Sequence, residues 1–236
     1  MGEKNSTKKK TKEMKYYYMF QMNTSFLNVF TIILMLIATF IFYLIYGSNS
    51  MDVFNDNFTL VMILYIPYLL LHEILHSISY CIYGADFKNI TYGAHLEKGV
   101  LCCLCKQNIN KRNILYSLMY PFFFIGIITL IIGTIFNIPV LVILSLLNIA
   151  GCSGDLVMFY HLSKLHDFEF SEYNDPIAFG LYTKDNLSKL KMFGLNYVGK
   201  KANLDRSDLR KIVISKMSVI LFILFYLIMI LAFIVK

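Results

Sequence analysis

Long apolar runs separated by polar segments set the pattern of this chain, covering about 26–46, 58–83, 114–136, 140–160 and 217–235. Each approaches the roughly 20 residues that carry an α-helix across a hydrocarbon core. The pattern predicts an all-α polytopic membrane protein with about five transmembrane helices. The first run is too long for a signal peptide, and no small-residue cleavage site follows it. Pro67 predicts a kink in the second run, and Pro121 interrupts the third. A tight Asn137-Ile-Pro139 turn joins the third to the fourth.

The polar segments predict a small β insertion. Residues 90–93 and 100–105 read as two strands around a turn containing Gly99, and 177–183 as another strand. An amphipathic helix is expected within 186–212. The organisation is then a basic tail over 1–24, a four-helix core over 25–160 with a hairpin insertion at 84–112, a polar segment over 161–216 and a last helix over 217–236.

Composition supports the membrane reading, with 57% hydrophobic and 16% charged residues. Lys and Arg fall in the tail, in 84–112 and in 161–216, which alternate spans place on one side. By the positive-inside rule that side is cytoplasmic, with the N-terminus inside and the C-terminus outside. The net charge of +7 therefore speaks of orientation and not of nucleic acid. Usage rich in Lys, Asn, Ile and Tyr suggests an AT-rich bacterial genome and hence a plasma membrane. Met1-Gly2-Glu-Lys-Asn-Ser6 fits a myristoylation pattern, but the pattern is short and spanning helices need no lipid anchor.

Within the second run stands His72-Glu73-Ile-Leu-His76. Positions four apart share a helix face, so two imidazoles can hold one metal ion with Glu73 beside them as general base. Ionisable groups at membrane depth cost about 2.5–3.5 kcal/mol each on insertion scales, which removes most accidental matches. Two histidines leave a catalytic zinc site one protein ligand short. Asp155 lies at matching depth in the fourth run, on a helical stripe with Asn148, Gly151 and Cys152; Gly151 and Gly154 would let the helices approach closely. His161 is the competing third ligand. Asp155 could instead be a helix-end carboxylate paired with Lys164. Asn148 fits either a helix–helix hydrogen bond or a hold on a ligand or substrate carbonyl, and Pro121 either a kink or part of the pocket. Cys102, Cys103 and Cys105 look like half a zinc knuckle, but read better as strand packing. His95 and His166 read as loop histidines.

The His-Glu-x-x-His run followed by Gly154-Asp155 resembles the site-2-type intramembrane zinc metalloproteases. It is closer to the zincin peptidases grouped as domain of unknown function 3267. Tyr83-Gly84, the Cys-containing hairpin, Met119-Tyr-Pro121, Asn148, Gly154-Asp155 and Asp175-Pro-Ile-Ala-Phe-Gly carry that likeness over about 60–185. The chain has Ser153-Gly-Asp155 where site-2 proteases carry Leu-Asp-Gly, and lacks their Asn-x-x-Pro element. The resemblance implies Zn2+ on His72, His76 and Asp155, with Glu73 as base.

The expected activity is hydrolysis of peptide bonds in membrane-protein or peptide substrates near the cytoplasmic face. The hairpin 90–105 or the strand 177–183 would hold an unwound substrate by edge pairing, or cap the site as a plug. The alternative is a non-proteolytic membrane protein, transporter-associated or of immunity type, with a structural or vestigial metal. A metal transporter would want more polar residues in the other spans. Nothing in the sequence sets an oligomeric state.

Overall fold

The structure is a computed structural model that describes residues 16–95, 100–172, 178–184, 186–187 and 192–201. The expected last helix over 217–236 and the lysine-rich residues 1–15 lie outside these, as does most of 186–212. After a first strand, β1 (Tyr16–Met22), helix α1 (Thr24–Tyr46) starts where the Asn23 side chain accepts from the Phe26 N–H at 3.1 Å. It ends at Gly47, whose φ of +59° suits glycine. Helix α2 (Ser50–Ile82) begins in the polar stretch 47–57 that reads as a loop. Asp52 sits favourably in its first turn, and Asn57 turns its amide back onto the Val53 carbonyl, so the polar residues remain helical.

Next come α3 (Lys111–Pro121), a π-helical segment (Phe122–Ile128) and α4 (Thr129–Ile135). Asn137 takes a φ of 51° in the turn to α5 (Pro139–Gly151), which starts on its proline. A 47° bend at Cys152 leads into α6 (Ser153–Lys164). Ala38 and Phe42 of α1, Val61 of α2 and Val142 to Leu144 of α5 share one apolar cluster, so both early helices lean on α5.

The expectation of a five-span, all-α protein is corrected in two respects. Among the described residues, two helical stretches are long and apolar enough to cross a membrane, Thr24–Ile82 (broken at Gly47–Asn49) and Lys111–Ile135; the bent pair Pro139–Gly151 and Ser153–Lys164 makes up to three. The second correction is a five-stranded antiparallel sheet, in the order β4-β5-β6-β1-β7. Its members besides β1 are β4 (Ile109–Asn110), β5 (Phe168–Glu172), β6 (Ala178–Thr183) and β7 (Leu195–Lys201). The hairpin of β2 (Ile90–His95) and β3 (Val100–Cys105) is separate from it. Residues 195–201, inside the stretch expected to be helical, are thus a strand.

The sheet escapes a local reading because its pairings are distant, Tyr16 facing Thr183 and Tyr17 facing Lys201. It closes over the ends of α2, α3 and α6. Tyr18, Phe20, Phe168, Phe170, Phe179 and Leu181 make one cluster with Tyr80, Ile114, Leu118, Val157 and Leu162. Phe179 stacks between Phe20 and Phe170, at 5.8 and 5.4 Å between ring centroids. On the other face, Gly180 lies directly under the buried ring of Tyr17, where an added Cβ would overlap it. Gly180→Ala is expected to lower stability by about 1–3 kcal/mol, as overpacking of a filled core does. Thermal unfolding in detergent measures this, and an unchanged midpoint would refute the packing argument.

Candidate metal centre

Helix α2 carries His72 and His76 one turn apart on the face turned to α3, α5 and α6, and both are buried. Pro121 prepares the place of one of them. Lacking an N–H, it leaves the Ser117 carbonyl one turn earlier without its usual helical donor. That carbonyl accepts from His76 Nδ1 at 3.0 Å. A carbonyl can only accept, so His76 carries its proton on Nδ1 and presents a bare Nε2.

His72 is fixed the same way from the other side. Its Nδ1 lies 2.8 Å from Asn148 Oδ1, and the Asn148 amide nitrogen donates to the Pro121 carbonyl at 3.2 Å. The amide orientation is thus set, its oxygen faces His72, and Nε2 is again the free nitrogen. The π-helical segment allows this approach. Gly126 within it lies so near α5 that a Cβ would sit 3.0 Å from Ile149 and 3.5 Å from the Asn148 amide. One turn before His72, Tyr68 donates to the Ile125 carbonyl at 2.6 Å and lies 2.8 Å from Thr129 Oγ1, which meets Ser145 Oγ at 2.7 Å.

The two bare nitrogens and one carboxylate oxygen converge. His72 Nε2 is 3.1 Å from His76 Nε2, and Asp155 Oδ2 stands 3.3 Å from the first and 3.5 Å from the second. Bonds of about 2.0–2.1 Å in a tetrahedron put ligand atoms roughly 3.3–3.4 Å apart, so the triangle has the size zinc requires. Its chemistry fits as well: two lone pairs and a carboxylate face one another, with both protons held on the far sides of the rings. Such outward hydrogen bonds are how metal-ligating imidazoles are oriented. Asn148→Ala is expected to weaken zinc binding about 10–100-fold by freeing the His72 ring, which competition titration with a chelating dye would measure. Undiminished affinity would show that the hydrogen bond plays no part.

Glu73 lies close enough to His72, His76 and Asp155 to feel their charges, and its carboxylate accepts the Cys103 backbone N–H of β3. The hairpin is tied to α2 again where Ser77 Oγ and Tyr92 Oη meet at 2.5 Å. His161 points away and donates through Nε2 to the Phe193 carbonyl at 2.9 Å. Gly151 has nothing within 4 Å of an added Cβ, and Gly154 would meet only Met22, at 3.7 Å. They do not bring α2 and α6 together; the close approach is at Gly126, between the π-helical segment and α5. Cys102, Cys103 and Cys105 are buried along β3 and belong to no metal-ligand cluster among the described residues.

A further potential donor is not singled out as a ligand by the sequence pattern. Cys152, fully buried at the bend between α5 and α6, has its sulfur, a His72 nitrogen and an Asp155 oxygen all within 4.8 Å of one another. The signal was its place between Asn148 and Asp155 on the same helical stripe.

Fold and site together define a helical protein, apolar enough for a membrane, with a buried His-His-Asp cluster suited to a metal. Residues 65–167 match the model of a family described as "Putative zincin peptidase", domain of unknown function 3267. The matched stretch contains His72, Glu73, His76, Asn148 and Asp155, and the description carries zinc and metallopeptidase chemistry at the level of the family. No curated protein and no solved structure matches the chain.

Proposed function

We propose that this protein is a membrane-embedded zinc metalloprotease that hydrolyses peptide bonds of membrane-protein or peptide substrates near the cytoplasmic face. The observation that carries the reading is the pair of imidazoles held with both Nε2 atoms turned to the Asp155 carboxylate and Glu73 alongside. His72, His76 and Asp155 would hold the ion. Bound there, zinc supplies an acidified water and a positive charge for the scissile carbonyl. Glu73 takes the proton of the attacking water and delivers it to the leaving amine. The Cys103 N–H holds the Glu73 carboxylate in place for both transfers.

A substrate helix hides its peptide bonds in its own hydrogen bonds, so the cleaved segment must be extended. Both edges of β6 are occupied, by β5 and β1, which removes the strand 177–183 as a docking edge. The hairpin β2–β3 is the strand pair beside Glu73, and it can serve as substrate rail or as plug. Membrane-protein fragments compared between cells carrying the intact chain and cells carrying Glu73→Gln test the proposal. Fragments present only with the intact chain are expected; identical profiles would count against proteolysis.

One observation favours the second reading, a non-proteolytic membrane protein with a structural metal. Cys152 offers a fourth protein donor, and structural zinc sites are closed by four.

A further inference from the structure

We infer that Cys152 is a fourth ligand of the metal in the resting protein, closing the coordination position that hydrolysis needs for water. The inference rests on the reading of His72, His76 and Asp155 as a metal site and goes beyond it. Three independent features point the thiol there. Cys152 sits at the 47° bend, where α5 has ended and α6 begins, one turn after Asn148 and almost one turn before Asp155. Its side chain has no solvent contact and its sulfur lies within 4.8 Å of a His72 ring nitrogen. The Asn148 amide nitrogen that fixes the His72 orientation also faces the Cys152 sulfur, at 3.7 Å.

A thiolate bonded to zinc at about 2.3 Å, with nitrogen and oxygen ligands at about 2.0–2.1 Å, sits roughly 3.5–3.6 Å from each of them in a tetrahedron. The sulfur is within 4.8 Å of a His72 ring nitrogen and an Asp155 oxygen, in a group that does not include His76, so ligation beside both Nε2 atoms requires the Cys152 side chain to turn towards His76 at the helix break. The thiol proton is released to solvent as the metal–sulfur bond forms, as for any cysteine ligand. Thiolate is also the donor that zinc and cobalt accept most readily beside imidazole. The resting centre would then be His-His-Asp-Cys, with all four tetrahedral positions held by protein.

Full-length protein in detergent, stripped of metal and reloaded with Co2+, decides the matter. The expected result is one Co2+ per chain, with a thiolate-to-cobalt charge-transfer band in the near ultraviolet. Cys152→Ser should abolish that band while the Co2+ content and visible ligand-field bands persist. Co2+ bound without a charge-transfer band in the intact chain, or a band that survives in Cys152→Ser, overturns the inference and leaves the three-ligand site standing. Failure of the intact chain to bind Co2+ overturns both. Cys152→Ala, with no oxygen to replace the sulfur, should give the same loss and guards against a serine-specific artefact.

Discussion

Purified His76→Ala protein is expected to lose most of its zinc, whereas the intact chain is expected to hold about one ion per chain. Catalytic zinc centres use three protein ligands, and removing His76 leaves only His72 and Asp155 of that set, with Cys152 as the one further donor beside them. The loss should therefore exceed the roughly 10–100-fold that altering a supporting hydrogen bond costs. It should also leave the Ser117 carbonyl without its His76 partner at the break before Pro121. Elemental analysis after gel filtration reads the result, and full zinc in the variant would sink the ligand assignment. Because the substitution opens a buried space, Asp155→Asn provides the companion test. It keeps the side-chain volume and removes the charge, and metal loss in both variants with unchanged helix content separates ligand loss from misfolding.

The second large effect is expected on activity alone. Glu73→Gln should keep zinc near the level of the intact chain, while peptide cleavage falls by about 10²–10⁴-fold, the usual contribution of a positioned general base. The amide has nearly the shape of the carboxylate, and its carbonyl oxygen can still accept the Cys103 N–H. It cannot take a proton from water. Single-turnover cleavage of a membrane-protein substrate found by fragment comparison would measure the change. Cleavage at the rate of the intact chain would remove Glu73 from the mechanism. Retained zinc with lost cleavage, beside lost zinc in His76→Ala, divides base from ligand.

Much of the candidate site was legible because its signals are local. Two histidines four apart, a carboxylate between them and a second carboxylate at matching depth can be read from helical geometry alone. The reason for their orientation was not. Ser117 acts through a backbone carbonyl, which no side-chain pattern announces, and it is free because of a proline that reads simply as a kink. The closely packed glycine, Gly126, lies in an apolar run without polar neighbours to mark it, whereas Gly151 and Gly154, beside Asp155 in the sequence, have room to spare. The sheet was missed for another reason. Its strands are short, aromatic-rich and widely separated, and the partner of Tyr17 is as far away as Lys201. A strand such as Tyr16–Met22 carries too little pattern to be distinguished from a tail until its neighbours are known.

The position of β1 between β6 and β7 imposes an order on biosynthesis. Residues 16–22 leave the ribosome before the six helices of the described fold, yet both strands that flank them are translated after those helices. Until then β1 presents two unpaired edges, and such edges recruit foreign strands. A nascent chain stopped between β6 and β7 would have one edge satisfied and one open. The helices that carry the histidines and the aspartate can therefore gather first, and the sheet acts as a late latch across their ends.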